Sequence, residues 1–232
     1  MSQQFSPTGF RVLPTAVKHL LIINVLLFLA TFTLNRFDID LTNLLGLHFY
    51  KASDFRAYQL VTYMFMHGNF EHLFFNMFSL WMFGSTLENI WGTKRFVLFY
   101  MVCGLGAGLC QEGVQYIEYA TSLANYDTVN LGGGRVIPMS SYLNMMNTVG
   151  ASGAIYGLLL AFGMMFPNEY IYLYFLVPMR TKWFIVAMVV IELLSGFYGG
   201  GNIAHFAHLG GMLFGLIMIL QWKKKGTLYD QP

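Results

Sequence analysis

Six apolar runs divide the chain, at about Thr15–Leu34, Phe70–Trp91, Phe96–Gln115, Ser152–Phe166, Thr181–Tyr198 and Ile203–Trp222. Most approach the roughly 20 residues that carry a helix across the hydrocarbon core of a bilayer. The pattern predicts an all-α polytopic membrane protein with six transmembrane helices. The fourth run is the exception in length. Its about 15 residues make about 22 Å of helix, against a hydrocarbon core of roughly 30 Å. A helix that begins at Ser152 therefore starts below the outer surface. Asn69 and Glu71 give the second run a helix-capping residue followed by a first-turn acid.

The polar positions between the runs set the orientation. With the N-terminus inside, the inner connections carry Arg11, Lys18, Lys94, Arg95, Arg180, Lys182, Lys223, Lys224 and Lys225, and the outer ones only Arg36, Lys51, Arg56 and Arg135. Lysine and arginine collect on the cytoplasmic side, so both termini are expected there. The expected organisation is a short cytoplasmic tail at 1–14, a six-span membrane domain at 15–222 and a basic cytoplasmic tail at 223–232. Two outer connections are long. The segment 35–69 is rich in aliphatic and aromatic residues and suits the membrane interface. The segment 116–149 is more polar, with Gly132, Gly133 and Gly134 near its middle. The short apolar run Ile171–Val177, between Pro167 and Pro178, is expected to rest at the inner surface.

Composition agrees with this picture. Charged residues make up 10% of the chain and hydrophobic residues 56%, whereas soluble domains average roughly 25% charged. No secretory pattern with a small-residue cleavage site opens the sequence, and the first run is long enough to remain as a span. A net charge of +2 says little about partners; the lipid bilayer is the expected surrounding, and no nucleic acid is expected as partner. Cys103 and Cys110 lie seven apart on one helical run, too far for a disulfide.

Within this apolar background a few polar side chains stand out. Ser152 sits in Gly150-Ala151-Ser152-Gly153 at the start of span four, and His208 lies about one turn into span six. Both are followed by small-residue spacings, Gly153-x3-Gly157 and Gly211-x3-Gly215, that let helix backbones approach closely. Close approach brings an imidazole to a hydroxyl, the pairing a weak alcohol nucleophile needs. His72 and Asn76, four apart, share a helix face. They either donate hydrogen bonds to a developing oxyanion or act as polar glue between helices. His67 precedes that helix and is expected to organise the outer loop. His205 and His208 form His-x-x-His, a metal-like spacing with His67 or His72, although no cysteine or carboxylate accompanies it in a metal motif. Glu192, inside span five, is expected to be neutral and hydrogen-bonded to a neighbouring span.

From Tyr58 to Leu220, the order His67-x4-His72-x3-Asn76, Glu88, Gly150-Ala151-Ser152-Gly153 with Tyr156, and Ala207-His208-x2-Gly211-x3-Gly215 resembles the rhomboid family of intramembrane serine proteases. The resemblance implies a six-helix core and a serine–histidine dyad without a catalytic acid. Ser152 would be the nucleophile and His208 the general base. His72, Asn76 and the Ser152 backbone N–H would form the oxyanion hole. Tyr156 would pack on the His208 ring, and Gly211 would admit contact between spans four and six. Gly150, Gly153 and His67 would support the site. Tyr58-Gln59 replaces the Trp-Arg pair of many members, and the connection before Ser152 is longer than in compact bacterial ones.

These residues together predict hydrolysis of transmembrane segments of membrane-protein substrates, in a bacterial cytoplasmic membrane, with no metal or organic cofactor. A non-catalytic relative that binds transmembrane helices is the main alternative. A polar-lined transporter or metal carrier is the second.

Overall fold

A computed structural model of the chain describes residues 9–173, 177–198 and 204–228. The first helix, α1, spans Thr15–Asn35. The second apolar run is one continuous helical stretch built from α4 (Phe70–Ser79), a π turn at Leu80–Gly84 and α5 (Ser85–Trp91). Between α1 and this stretch lie α2 (Leu41–Leu45), the two-residue strand β1 (Leu47–His48) and α3 (Gln59–Thr62). The third run is α6 (Thr93–Glu118), extended by a π turn at Tyr119–Leu123. The fourth, fifth and sixth are α8 (Ser152–Met165), α9 (Thr181–Tyr198) and α10 (Ala204–Lys224). Ile203, the expected start of span six, lies outside the described residues, as do 1–8 and 229–232 of the two tails.

Among the described residues, four helices are long and apolar enough to cross a membrane: Thr15–Asn35, Thr93–Leu123, Thr181–Tyr198 and His205–Lys224. Ser152–Met165 is apolar but shorter. Large apolar side chains point outward along α1 (Ile22, Leu26, Leu29) and α9 (Trp183, Val186, Val190, Leu194). Such faces would be unstable in water and are at home against lipid tails.

The centre of the fold is the packing of α10 against both α6 and α8. Small residues make it possible. A Cβ placed on Gly211 would overlap the carbonyl of Gly153. One on Gly157 would lie 3.0 Å from the Gly211 carbonyl oxygen, and one on Gly215 would lie 3.3 Å from the Gly157 Cα. Close backbone approach of this kind gives van der Waals contact along the whole seam, the main attraction available between helices in lipid. Cys103 is buried in the same seam, and both cysteines are free thiols.

At the opposite end from the seam's polar groups, Glu88 holds two elements together. Its carboxylate accepts the backbone N–H groups of Ala16 (2.8 Å) and Val17 (2.9 Å) and the Thr93 hydroxyl (2.7 Å). The first amides of α1 have no partners within their own helix, so a carboxylate from α5 caps it. Gly92, at φ +75°, makes the tight turn from α5 into α6, a conformation only glycine adopts readily.

The long connection 116–149 is more ordered than its polar composition suggests. Strands β2 (Thr128–Asn130) and β3 (Val136–Pro138) form a hairpin. Gly132, Gly133 and Gly134, all at positive φ, form its turn. Helix α7 (Met139–Met145) and strand β4 (Asn147–Thr148) follow. β4 pairs antiparallel with β1, Leu47 opposite Thr148 and His48 opposite Asn147. Phe49, Ala52, Leu143 and Met146 close a small apolar cluster beneath. The connection therefore docks on the segment between α1 and α4. The expected surface run at 171–177 lies partly in another hairpin, β5 (Tyr170–Leu173) with β6 (Val177–Arg180). Its residues 174–176 lie outside the described set.

Candidate active site

Ser152 is the first residue of α8. The chain reaches it through Gly150, whose φ of +133° no side-chain-bearing residue adopts comfortably. The Gly150 N–H donates to the Tyr63 carbonyl at 2.9 Å, and Tyr63 in turn donates its hydroxyl to the Gly104 carbonyl at 2.7 Å. The serine is thus fixed from the segment between α1 and α4 and from α6. As a first-turn residue of a helix, its own backbone N–H has no intrahelical partner.

His208 faces it from α10, with Nε2 2.8 Å from the Ser152 Oγ. Tyr156, one turn along α8 from Ser152, lies flat on the imidazole, ring centroids 4.1 Å apart and planes 5° from parallel. The other ring nitrogen of His208, Nδ1, lies 3.0 Å from Glu192 Oε1. The second carboxylate oxygen of Glu192 lies 2.6 Å from His205 Nδ1, and Tyr156 donates its hydroxyl to Oε1. Glu192 is only 4% exposed. Its expected hydrogen bond to one neighbouring helix is in fact a set of bonds to two, α8 and α10, and three donor groups converging on its two oxygens suit an ionised carboxylate in place of the neutral one expected.

His72 approaches from α4. A Cβ on Gly150 would sit 2.8 Å from His72 Cε1 and 2.9 Å from its Nε2, and 3.4 Å from Ser152 Oγ. The histidine edge and the serine hydroxyl therefore border the same small space above Gly150. The α4 helix that aims His72 begins as the sequence indicates, with the Asn69 side chain accepting the His72 N–H at 2.7 Å. Asn76 is buried one turn on. Its amide donates one of its two hydrogens to the His72 carbonyl at 2.8 Å, which leaves the second for another acceptor. His67 packs edge-on against His72 with centroids 5.0 Å apart. Burial, with His72 nearby, holds the His67 imidazole down to about 4, so this ring is neutral near pH 7.

The metal-like grouping takes a form the sequence did not suggest. Donor atoms of Glu192, His205 and His208 all lie within 4.8 Å of one another, while His67 and His72 belong to a different cluster. The carboxylate and the two Nδ1 atoms already satisfy each other as hydrogen-bond partners.

Three further residues organise the surroundings, two of them without an obvious local signal. Gln59, where the family often has arginine, is buried and accepts the Arg56 N–H at 3.0 Å while donating to the Asp54 carbonyl at 3.1 Å. His48 bridges the Asn144 and Asn43 carbonyls at 2.9 and 2.8 Å. Glu192 is the third. A lone carboxylate inside an apolar span is itself the signal that it has a task.

Comparison with known proteins agrees with this geometry. The Rhomboid domain family matches residues 54–224. The rhomboid protease AarA of Providencia stuartii is 28% identical over 170 residues, covering 68% of this chain and 53% of its own. RHOMBOID-like protein 12, mitochondrial, of Arabidopsis thaliana is 27% identical over 180 residues, covering 78% of this chain and 48% of its own. The human presenilin-associated rhomboid-like protein, mitochondrial, is 30% identical over 172 residues, covering 71% and 39%. The chain thus spans about half the length, or less, of these curated relatives. The family match takes in every residue of the cluster around Ser152 and His208, and on it the chain belongs to the rhomboid family.

Proposed function

We propose that this protein is an intramembrane serine endopeptidase that cleaves transmembrane segments of membrane-protein substrates through Ser152 and His208. The observation that carries the reading is the 2.8 Å approach of His208 Nε2 to Ser152 Oγ, at the start of a helix too short to span the bilayer. His208 takes the serine proton as Oγ attacks the scissile carbonyl. The tetrahedral oxyanion is received by the Ser152 backbone N–H together with His72 and Asn76. His208 then protonates the departing amine, and the peptide product with the new N-terminus leaves. Water attacks the acyl-enzyme with His208 again as base, and the serine is restored. Every group required is supplied by the chain or by water. A helical substrate must unwind locally, because an intact helix holds its carbonyls in backbone bonds.

The arrangement of the chain in the membrane follows the same reading. Six spans are inferred by adding the divided stretch Phe70–Trp91 and the short α8 to the four long apolar helices. Both termini are placed in the cytoplasm on the lysine and arginine balance. The location inferred is a bacterial cytoplasmic membrane; the relatives themselves are divided between bacterial and mitochondrial proteins.

A cleavage assay in lipid on a panel of single-span substrates tests the proposal. Wild type should cut at least one of them. Ser152→Ala and His208→Ala should each abolish cleavage, and His205→Ala should retain most of it. A serine-directed phosphonate should label wild type and not Ser152→Ala. Cleavage that persists in Ser152→Ala would sink the reading and favour a binding protein. For the orientation, a cysteine at position 133 should be accessible from outside; accessibility from the cytoplasm would reverse it.

A further inference from the structure

The dyad implied by the family leaves one imidazole nitrogen without a stated partner. In this chain that nitrogen is occupied. We propose that Glu192 is a positioning residue for His208, so that the reaction runs through a Ser152–His208–Glu192 arrangement in place of a bare serine–histidine pair. This inference rests on the proteolytic reading above and adds a third member to it.

The geometry is a straight sequence of contacts. Ser152 Oγ lies 2.8 Å from His208 Nε2, and His208 Nδ1 lies 3.0 Å from Glu192 Oε1. A carboxylate only accepts hydrogen bonds, so the neutral imidazole keeps its proton on Nδ1 and presents the Nε2 lone pair to the serine. That is the one tautomer in which His208 can act as base. When Nε2 takes the Ser152 proton, the ring becomes an imidazolium whose Nδ1–H still donates to Glu192. No proton moves to the carboxylate. The Nε2 proton goes on to the leaving amine, and the ring returns to its starting tautomer.

Two further contacts fix the carboxylate itself. Oε2 meets His205 Nδ1 at 2.6 Å, and Oε1 also receives the Tyr156 hydroxyl. Tyr156 is also the ring that stacks on His208. The base is therefore held in three ways at once: by an acceptor at one nitrogen, a flat aromatic face, and the serine at the other nitrogen. Placing a carboxylate inside a membrane helix is costly, and such groups are rare there. A leucine would join α9 to its neighbours at lower cost, so polar cohesion alone is a poor account of Glu192. A second-partner carboxylate on a functional histidine is a general device for fixing tautomer and ring orientation.

The test is a set of Glu192 variants of the full chain, reconstituted in lipid with a substrate that wild type cleaves. Each is measured for kcat, KM, rate of phosphonate labelling and thermal stability, with Ser152→Ala as the reference. Glu192→Gln keeps the size and removes the charge. Its kcat should fall by about 10²–10⁴, the range bracketed by losses of oriented bases and of correct tautomers. KM should change little, and labelling should slow in proportion. Glu192→Asp should recover part of that loss but stay below wild type, because its carboxylate is drawn back by about 1.5 Å. Wild-type kcat in folded Glu192→Gln would overturn the inference. So would equal losses in Gln and Asp that track the loss of thermal stability. Should Glu192→Gln fail to insert, the comparison rests on Glu192→Asp: lowered kcat at preserved stability supports the role, and unchanged kcat overturns it. Cleavage by Ser152→Ala would instead bring down the proteolytic reading itself, an outcome distinct from a wild-type Glu192→Gln beside an inert Ser152→Ala.

Discussion

The phenol of Tyr156 lies parallel to the imidazole of His208, 4.1 Å away, while its hydroxyl reaches the carboxylate that bonds the same imidazole. One residue on α8 thus sets both the plane of the base and the position of its partner. The two contributions separate by substitution. Tyr156→Phe keeps the stacked face, worth about 0.5–1.5 kcal/mol, and loses only the hydroxyl bond. It should lower kcat by roughly threefold. Tyr156→Leu removes both and should lower kcat by at least roughly tenfold, since small displacements of a base are costly in rate. Steady-state kinetics on both variants check the order; equal activities would deny the stack any part in turnover.

Gly211 is the point where α10 and α8 touch most closely. Any side chain there meets the Gly153 carbonyl, one residue from Ser152. Gly211→Val must push the helices apart, and a shift of about 1 Å in a catalytic pair costs on the order of a hundredfold. The variant should insert in the membrane and lose most of its turnover. Near-normal cleavage by Gly211→Val would mean that the seam can relax without moving His208 from Ser152.

His72 and Asn76 differ from the residues above in how they should fail. As donors to a charge that forms only in the transition state, each should cost about 10²–10³ in kcat when replaced by alanine, with little change in KM. Neither loss should be complete. Polar glue would behave the opposite way, lowering thermal stability and leaving turnover per folded molecule intact. Measuring kcat and melting temperature on the same preparations of His72→Ala and Asn76→Ala separates the two roles.

Glu88 offers the reverse signature. It caps the first turn of α1 with two charge-assisted bonds to backbone N–H groups, and it lies at the far end of its helix from His72. Hydrogen bonds to charged groups contribute about 1.5–3 kcal/mol each. Glu88→Ala should therefore destabilise the fold by about 3 kcal/mol, read as a lowered thermal midpoint in detergent or lipid. Its kcat per folded molecule should stay close to wild type. A stable Glu88→Ala protein would show that α1 is anchored elsewhere.

Much of the helical framework was legible from apolar runs alone. The run Thr181–Tyr198 has the same bounds as α9, and the short fourth run gives the start of α8 at Ser152. These elements are local: a stretch of apolar residues commits to a helix whatever lies around it. The approach of Ser152 and His208 was legible too, because glycine spacing limits which helix faces can meet. What the runs could not convey depends on partners distant in sequence. The β1–β4 pairing joins residues about a hundred positions apart, through two-residue strands that carry no periodic signal. The hairpin at Tyr170–Arg180 is formed by a segment too short to distinguish strand from buried coil. The partners of Glu192 come from two other helices, so the sequence could mark the carboxylate as unusual and not say which imidazole it serves.

The π turn at Leu80–Gly84 has a consequence for angular register. A π turn holds one residue more than the regular helix would, and one residue is about 100° of rotation. On one side of it, His72 is turned toward Gly150, beside Ser152; on the other, Glu88 is turned toward the N-terminus of α1. The wide turn is the swivel that reconciles these two headings on a single stretch of chain. Deleting one residue between 80 and 84 would restore an ideal helix and leave both side chains chemically intact. It would also force the molecule to give up either the approach of His72 to Gly150 or the carboxylate beneath α1.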